Sequence, residues 1–598
     1  MPFFCLRQPV ANNRALPTFP PDAAFDTQST AWQPVAANVL AQIWYRHPCG
    51  VWEGSKAGLP CVLLCDGFIA RPRAFDALDP AGCVGWLGEA LYRRGADALR
   101  DVEGQYALCF VNGDTGEIFA ARDRLGAQAL YWHRSGETVA VATKCRDLAR
   151  LSTCTAVENP RFVTGMFARR GGHAPGDSAF LSINEVAPGG RVIFHKDEVD
   201  ILRAPFHTGS RPDCGSPAEW VEMFRETFRG AVRDPLGRYG DVAVMLSGGL
   251  DSGPVLAAAS RELQNAQRRV SAVSWVLPDF PDSDEEKWIR IAAEAAGVDL
   301  ATIDGGGRLP FSNLSGSVVS PELPYYNSVR DYMLGCYERA AEESCVMVLT
   351  GTRGDLIYPQ RFALLHDLIR RRDWRRLWAE LGHYYRRLGL GGMYRDPAVR
   401  YPVSRLLGPL RGRREEPPPP WLTGYALQHL PARLQGPPEA DDFPNPGHAH
   451  QVLGPAMTFG TSQENDFCQR YGLERRDPFH SEALIRLMLY LPVVLSNCRG
   501  RDKWIMREAM RSEIPDSVRL KSRTGKLGEF VRAGFARHRE AVRELLMDQE
   551  EDVWARYVQA SFVSDALSAR PPTDAQLLVI TGCIGYTLWR TRWDAAGC

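Results

Sequence analysis

The sequence predicts an α/β and α+β multidomain protein. An antiparallel β-rich sandwich comes first, then a parallel doubly wound α/β domain that ends in a helical region. Three observations predict it. The chain has 598 residues, too many for one hydrophobic core. Its first 200 residues or so alternate short apolar or aromatic runs with Gly-, Asn-Gly- and Asp-rich turns. From about residue 217, apolar runs of strand length alternate with segments of helical periodicity, the pattern of parallel strands joined by crossover helices.

In the first domain CVLLCDGFIA, YALCFVNG, EIFAARD, ALYWHRSG and TVAVATK read as strands, with NGDTGE as a hairpin connection. RVIFHKDEVDIL reads as a last strand pair. SRPDCGSP reads as the linker, which places the domains at 1–205 and 216–598. Next, AEWVEMFRETFRGAVRDPL carries helical spacing, DVAVML is a buried strand and PVLAAASRELQNA a helix. VSAVSWVL is a second buried strand, EEKWIRIAAEAAGV a helix, and CVMVLTGTRGD a third strand ending in a glycine loop. Beyond about residue 360 the pattern is mostly helical, broken by REEPPPPWL, whose four prolines hold an extended connection.

Composition excludes several function classes. The 71 basic and 71 acidic side chains cancel, leaving no global drive toward nucleic acid or an anionic membrane. No apolar run is long enough to span a bilayer, and the amino terminus lacks a signal-peptide pattern, so a cytoplasmic location is expected. Fifteen cysteines without a CxxC pair predict neither a metal cage nor obligatory disulfides. IRRRDWRRLWAELGHYYRRLG, residues 369–389, is a basic aromatic helical stretch whose commonest role is a solvated face; it has no assigned partner.

The most specific stretch is VAVMLSGGLDSGPVLAAAS, residues 242–260. A buried strand runs into Ser247, Gly248 and Gly249, then Asp251 and Ser252, then a helix with Pro254 in its first turn. Two glycines allow a tight turn with inward-pointing amides, and the helix start adds free N–H groups and a positive dipole end. The result is an anion site. It is not a Walker loop, because the GxxxxGK[ST] spacing and its lysine are absent. Asp251 would repel a phosphate unless a cation intervenes, and Mg²⁺ held by one or two carboxylates is the usual solution. LTGTRGDLIYP offers the partner. Its strand ends at Thr350, and ligands collect at the carboxyl ends of parallel strands, so Asp355 is expected to face Asp251.

SGGLDS at the end of a buried strand resembles the pyrophosphate loop of the ATP pyrophosphatase (PP-loop) superfamily. That resemblance implies ATP and Mg²⁺, attack of a substrate on the α phosphorus, and release of pyrophosphate. It places ATP and pyrophosphate against Leu246, Ser247, Gly248, Gly249, Leu250, Asp251 and Ser252. Ser274, near the adenine, and Gly351 and Gly354 of the facing loop complete the implied ATP- and pyrophosphate-binding set. Asp251 and Asp355 are the implied metal ligands, while Asp284 and Glu285 are weaker candidates from a charged loop.

LRDVEGQYALCFVNGDTGEIFAARDRLGAQALYW resembles the class II glutamine amidotransferase fold of asparagine synthetases, with Ala129 where proline is usual. YGLERRDPFHSEALIRLMLYLP, GRDKWIMREAM and IPDSVRLKSRTGKLGEF resemble that family's C-terminal region. The resemblance implies an amidotransferase-like (Ntn-type) sandwich followed by a PP-loop synthetase domain. It also makes Lys526 the candidate catalytic lysine, reinforced by Arg523 and less directly by Lys503.

The departures are informative. The resemblance requires a cysteine nucleophile at position 2, and Pro2 stands there, with Cys5 in the first strand unable to substitute. CDGFIAR replaces the glutamine-holding loop, and Thr143-Lys144 replaces a Ser-Glu pair. An adenylating domain without an ammonia source needs an amine on its substrate, as in β-lactam synthetases and the macrolactam synthetases (cyclases) of lasso-peptide biosynthesis. Thr352 stands where the former carry a catalytic tyrosine, and GTRGD and SPELPYYNSVRDYM resemble the latter.

The implied reaction adenylates an Asp or Glu side chain of a precursor (core) peptide and closes an isopeptide bond with its N-terminal amine. A leader-peptide protease and a leader-binding protein are the implied further partners, with no nucleic acid and no membrane. The alternatives are an ammonia-using asparagine synthetase, a β-lactam synthetase, a tRNA-adenylating enzyme and a non-catalytic scaffold.

Overall fold

The computed structural model describes the backbone of residues 3–9, 28–29, 33–36, 39–45, 50–56, 59–70, 80–395 and 417–595, apart from interruptions of one to five residues inside the last two spans. Pro2, Arg523, Lys526 and the side chain of Cys5 lie outside the described residues.

The amino-terminal part is a sandwich of two antiparallel sheets. One sheet centres on Phe3–Pro9, which pairs with Val39–Tyr45 and Thr138–Ala142. The other runs Val199–Arg203, Gly190–Phe194, Ile118–Arg122, Glu103–Val111, Leu59–Ala70 and Gly50–Lys56. CVLLC is apolar without alternation because both faces of its strand are covered. Val62 and Leu64 meet the facing sheet, and Cys61, Leu63 and Cys65 meet the helix Pro80–Arg94. The first sheet's other face packs on the helix Pro160–Ala168 and on residues near the carboxyl end, among them Trp554, Ile584 and Trp589. The end of the chain thus completes the core of its beginning.

Helix α1 (Pro217–Leu236) opens the second part with a reciprocal Ser216–Glu219 capping box and Pro217 at its first position. Five parallel strands follow: β1 (Asp241–Met245), β2 (Val270–Val276), β3 (Asp299–Asp304), β4 (Cys345–Thr350) and β5 (Glu474–Arg476). Their order is β3-β2-β1-β4-β5. The sequence reading accounts for β1, β2 and β4 only. β3 and β5 sit at the edges and carry too little apolar patterning to announce themselves. Helices α2 (Ser252–Leu263), α3 (Glu286–Ala296) and α4 (Arg330–Glu342) connect the strands.

The basic stretch at 369–389 departs from a single helix. A helix Arg361–Arg370 ends before a turn with Arg372 in the left-handed region, and the helical stretch Trp374–Arg395 follows, itself broken at Gly389, whose φ is +65°. Arg371 pairs with Asp367 and Arg376 with Asp373, so part of that charge is already neutralised locally. No helix among the described residues is long and apolar enough to cross a membrane.

Buried ionic contacts join the two parts. Arg124 meets Glu482 at 3.1 Å and Lys144 meets Asp466 at 3.0 Å. The Gln105 side chain donates to the Asp477 carbonyl at 2.7 Å. Glu322 accepts from the Cys145 amide at 2.7 Å, while its second oxygen is buried without a hydrogen bond. Burial, opposed by Arg146 and reinforced by Asp466, pushes the Glu322 carboxyl up to about 7. Its folded pKa therefore exceeds the unfolded value of about 4.3, and the stabilisation by protonated Glu322 is complete below pH ~4 and lost as pH rises through 7. Glu322→Gln should be more stable than the wild type at pH 8 by about 3 kcal/mol, with the difference vanishing near pH ~4. Urea unfolding across that pH range checks it.

Candidate active site

The chain leaves β1 toward β2 on one side and later enters β4 on the other, so the strand order reverses between β1 and β4. A crevice opens at such a point above the carboxyl ends of the strands. SGGLDS follows β1 and GTRGD follows β4, and this alone brings the two loops together.

Glycine is required where the loops meet. Gly248 has φ +63°, and a side chain there would press within 3.1 Å of the Ile289 amide. A Cβ on Gly351 would lie 2.7 Å from the Ser252 nitrogen, and one on Gly354 would fall on the Asp251 carboxylate. Ser252 Oγ accepts the Ser247 amide at 2.9 Å and shares a hydrogen bond with Ser247 Oγ at 3.1 Å. The Ser274 hydroxyl donates to the Leu246 carbonyl, tying β2 to the loop.

A cavity of about 560 Å³ lies over these loops, within the usual range for small-molecule sites. Leu246, Ser247, Gly249, Leu250, Asp251 and Ser274 line it, as does Asp355. Gly248, Ser252, Gly351 and Gly354 shape its wall from behind. Lys503, Lys521, Gly525 and Leu527 line it as well.

The charges are arranged in two clusters. Lys503 Nζ lies 2.7 and 2.6 Å from the two Asp251 carboxylate oxygens and 2.6 Å from an Asp355 oxygen. Burial works against the Lys503 charge, but the two carboxylates outweigh it and hold its pKa above the ordinary lysine value. Burial raises the Asp251 carboxyl, Lys503 opposes that shift and Asp355 adds to it. In the second cluster Lys521 binds Glu285, donates to the Gly248 carbonyl at 3.3 Å and lies 4.2 Å from the Trp288 ring centroid. Glu285 also accepts the Gly525 amide at 2.7 Å. Asp284 accepts the Leu277 amide at 2.8 Å, tying its loop back to the end of β2.

The GTRGD loop is anchored from below. Arg353, at φ +69°, donates to the carbonyls of Met457 at 2.6 Å and Phe459 at 3.2 Å and to Thr461 Oγ1 at 2.8 Å. It also pairs with Asp477 at 3.1 Å and Glu464 at 3.2 Å. Arg475 reaches the same two carboxylates at 2.8 and 2.7 Å. Sequence reasoning missed Lys521, Arg353, Arg475 and Asp477. Their partners lie more than a hundred residues away or are ordinary charged residues of a strand and its loop, so no local pattern marks them.

In the first domain, Asp66 of CDGFIAR lines the same small cavity as Thr143 and Lys144. That cavity holds about 10 Å³, room for roughly one water molecule, and the Lys144–Asp466 pair lines it.

Two carboxylates converging on one cationic point supply hard oxygen donors of the kind Mg²⁺ takes alongside phosphate oxygens. The residues present fit such an ion. The amide-rich loop, the start of α2 and the lining lysines fit a polyphosphate.

A family model for asparagine synthase matches residues 223–589, and one for a glutamine amidotransferase domain matches residues 87–206. The chain is 24% identical over 272 residues to asparagine synthetase [glutamine-hydrolyzing] 3 of Bacillus subtilis (strain 168), covering 44% of each chain. It is 23% identical over 283 residues to amidase chry2 of Gibberella zeae, covering 44% of this chain and 41% of that protein. It thus spans less than half the length of these curated relatives. A solved structure of the allosteric regulatory enzyme of purine biosynthesis matches with 12% identity and a TM-score of 0.19, over 44% of this chain and 66% of that one.

Proposed function

The chain belongs to the asparagine synthase family, and from that premise we propose that it is an ATP-dependent amide-forming ligase whose amine comes from its own substrate. The observation that carries the reading is the cavity of about 560 Å³ over SGGLDS, lined by Asp251, Asp355, Lys503 and Lys521. In the reaction a substrate carboxylate oxygen attacks the α phosphorus of ATP and pyrophosphate departs. An amine nitrogen then attacks the acyl carbon of the adenylate, AMP departs and one proton is released.

The residues divide this work. Ser247, Gly248 and Gly249 present the phosphate loop, and Ser274 and Trp275 flank the nucleoside end. Asp251 and Asp355 would hold Mg²⁺, which supplies charge neutralisation at the departing pyrophosphate. Arg523 and Lys526, between Lys521 and Leu527, remain the proposed cations for the acyl transfer.

The substrate is a precursor peptide, and the bond formed is an isopeptide macrolactam between an Asp or Glu side chain and the N-terminal amine, as in lasso-peptide biosynthesis. Holding the two ends of one chain together replaces a bimolecular encounter. Pro2 in place of the cysteine nucleophile and Thr143-Lys144 in place of a Ser-Glu pair support this over a glutamine-fed reaction.

The test incubates the chain with ATP, Mg²⁺ and synthetic peptides carrying a free amino terminus and one Asp or Glu. A product lighter by one water, with AMP and pyrophosphate formed and no reaction of N-acetylated peptide, is expected, and Cys5→Ala should leave it unchanged. Asparagine formed from aspartate, ammonium and ATP would overturn the peptide reading.

A further inference from the structure

Lys503 occupies an unusual position. It is the residue before a short helix, Trp504–Ala509, with φ 52° and ψ 37°, a left-handed conformation that a side-chain-bearing residue adopts only when its surroundings enforce it. Here they do. The Arg507 guanidinium clamps the preceding residue, donating to the Asp502 carbonyl at 2.9 Å and meeting its carboxylate at 3.2 Å. The corner directs the Lys503 ammonium between two loops, where three carboxylate oxygens lie within 2.7 Å and the side chain is only 12% exposed.

That ammonium stands at the point where a divalent ion would bridge Asp251 and Asp355. Two cations cannot share it. The ammonium already occupies the space within 2.7 Å of the same three oxygens, and a dication displaced to about 3 Å from it would meet a repulsion of roughly 11 kcal/mol at an effective dielectric of about 20. Gly354 brings the loop backbone against the Asp251 carboxylate, so Asp251 cannot withdraw toward β4 to make room.

We propose that Lys503 is a tethered cation that takes the place of the divalent metal in the nucleotide-free protein. The metal then enters only together with a nucleotide whose phosphates accept the ammonium. The inference deepens the proposed function and rests on its assignment of metal and ATP to this cavity. It makes metal and nucleotide binding mutually dependent and keeps the empty site from capturing free divalent ions. No covalent step is involved; Lys503 exchanges one set of anionic oxygens for another.

Mn²⁺ binding to the full-length protein, read by electron paramagnetic resonance, tests this without any turnover. Wild-type protein should bind Mn²⁺ weakly alone and about 10- to 100-fold more tightly with a non-hydrolysable ATP analogue present. Lys503→Met should bind Mn²⁺ alone about 10- to 100-fold more tightly than the wild type, and much of the dependence on the analogue should disappear. A thermal melt gives a second readout. Lys503→Met leaves two carboxylates without their shared cation, so it should melt lower than the wild type and recover on adding Mn²⁺ alone, which should not move the wild type.

Equal affinity of wild type and Lys503→Met for Mn²⁺ alone would overturn the proposal, as would a wild-type melt that rises with Mn²⁺ alone. Were Lys503→Met not to fold, the wild-type arms would still decide. The outcomes separate from the peptide reading. Loss of the Mn²⁺ competition with isopeptide product still formed removes the role of Lys503 alone, and the converse removes the substrate assignment alone.

Discussion

Asp251→Asn is expected to lower pyrophosphate release by about 10³-fold, because a metal-assisted charge term is worth several kcal/mol and each ~1.4 kcal/mol is a factor of ten. The substitution keeps the volume and one carbonyl oxygen, so the loop and the start of α2 should retain their shape. It removes one of the two carboxylates that meet at Lys503, while Asp355 remains to hold the lysine. Nucleotide affinity should therefore fall less than turnover, since the loop amides and Lys521 are untouched. Steady-state measurement of pyrophosphate release, beside a binding titration with a non-hydrolysable ATP analogue, separates the two effects. Turnover within about tenfold of the wild type would remove Asp251 from the proposed metal site.

The second large effect concerns stability. Asp477 is 3% exposed and faces Arg353 at 3.1 Å, Arg475 at 2.8 Å and His480 at 3.6 Å, and it accepts from the Thr350 hydroxyl. Asp477→Asn keeps the backbone contacts with Gln105 but leaves two buried guanidinium groups to share the Glu464 carboxylate. Breaking a buried ionic cluster from one side costs about 3–5 kcal/mol, and denaturant unfolding should register that loss.

The pH dependence follows from the charge. Burial raises the Asp477 pKa, but Arg475, His480 and Arg353 together outweigh it and hold the carboxyl well below the ordinary range. Its contribution is therefore complete above the unfolded carboxylate pKa of about 3.9, and it fades only as pH falls below that. The gap between wild type and Asp477→Asn should be flat from about pH 5 to 8 and narrow in stronger acid. A gap that instead widens on acidification would assign the stabilisation to another group. A secondary loss of nucleotide affinity is expected too, because Arg353 anchors the loop that carries Asp355.

Much of this architecture is legible in the residues. Strands buried on both faces announce themselves as unbroken apolar runs, as in CVLLC and VAVML. A loop that turns left-handed or comes close to a neighbouring loop calls for glycine: Gly248 is left-handed, Gly351 abuts the Ser252 backbone and Gly354 the Asp251 carboxylate. The edge strands are not legible. Asp299–Asp304 is half exposed, and Glu474–Arg476 consists of three charged residues paired through their backbone with β4. The break at Arg372 is hidden as well, because charge and aromatic content run unbroken across two helices.

The order of residues alone is enough to set the two-part fold, the glycine loop after β1 and the placing of Asp251 and Asp355 just beyond the carboxyl ends of parallel strands. Each of these rests on local chemistry: periodicity, backbone freedom and the residue types at one strand's end. It took the folded chain to place Lys503 between Asp251 and Asp355, to latch Lys521 onto Glu285, and to join Lys144 of the first domain to Asp466 of the second. Lys503 and Asp251 are 252 positions apart, Lys521 and Glu285 are 236 apart, and Lys144 and Asp466 are 322 apart. Opposite charges attract across any sequence distance once folding has excluded water, and nothing in the chain order records which of them will meet.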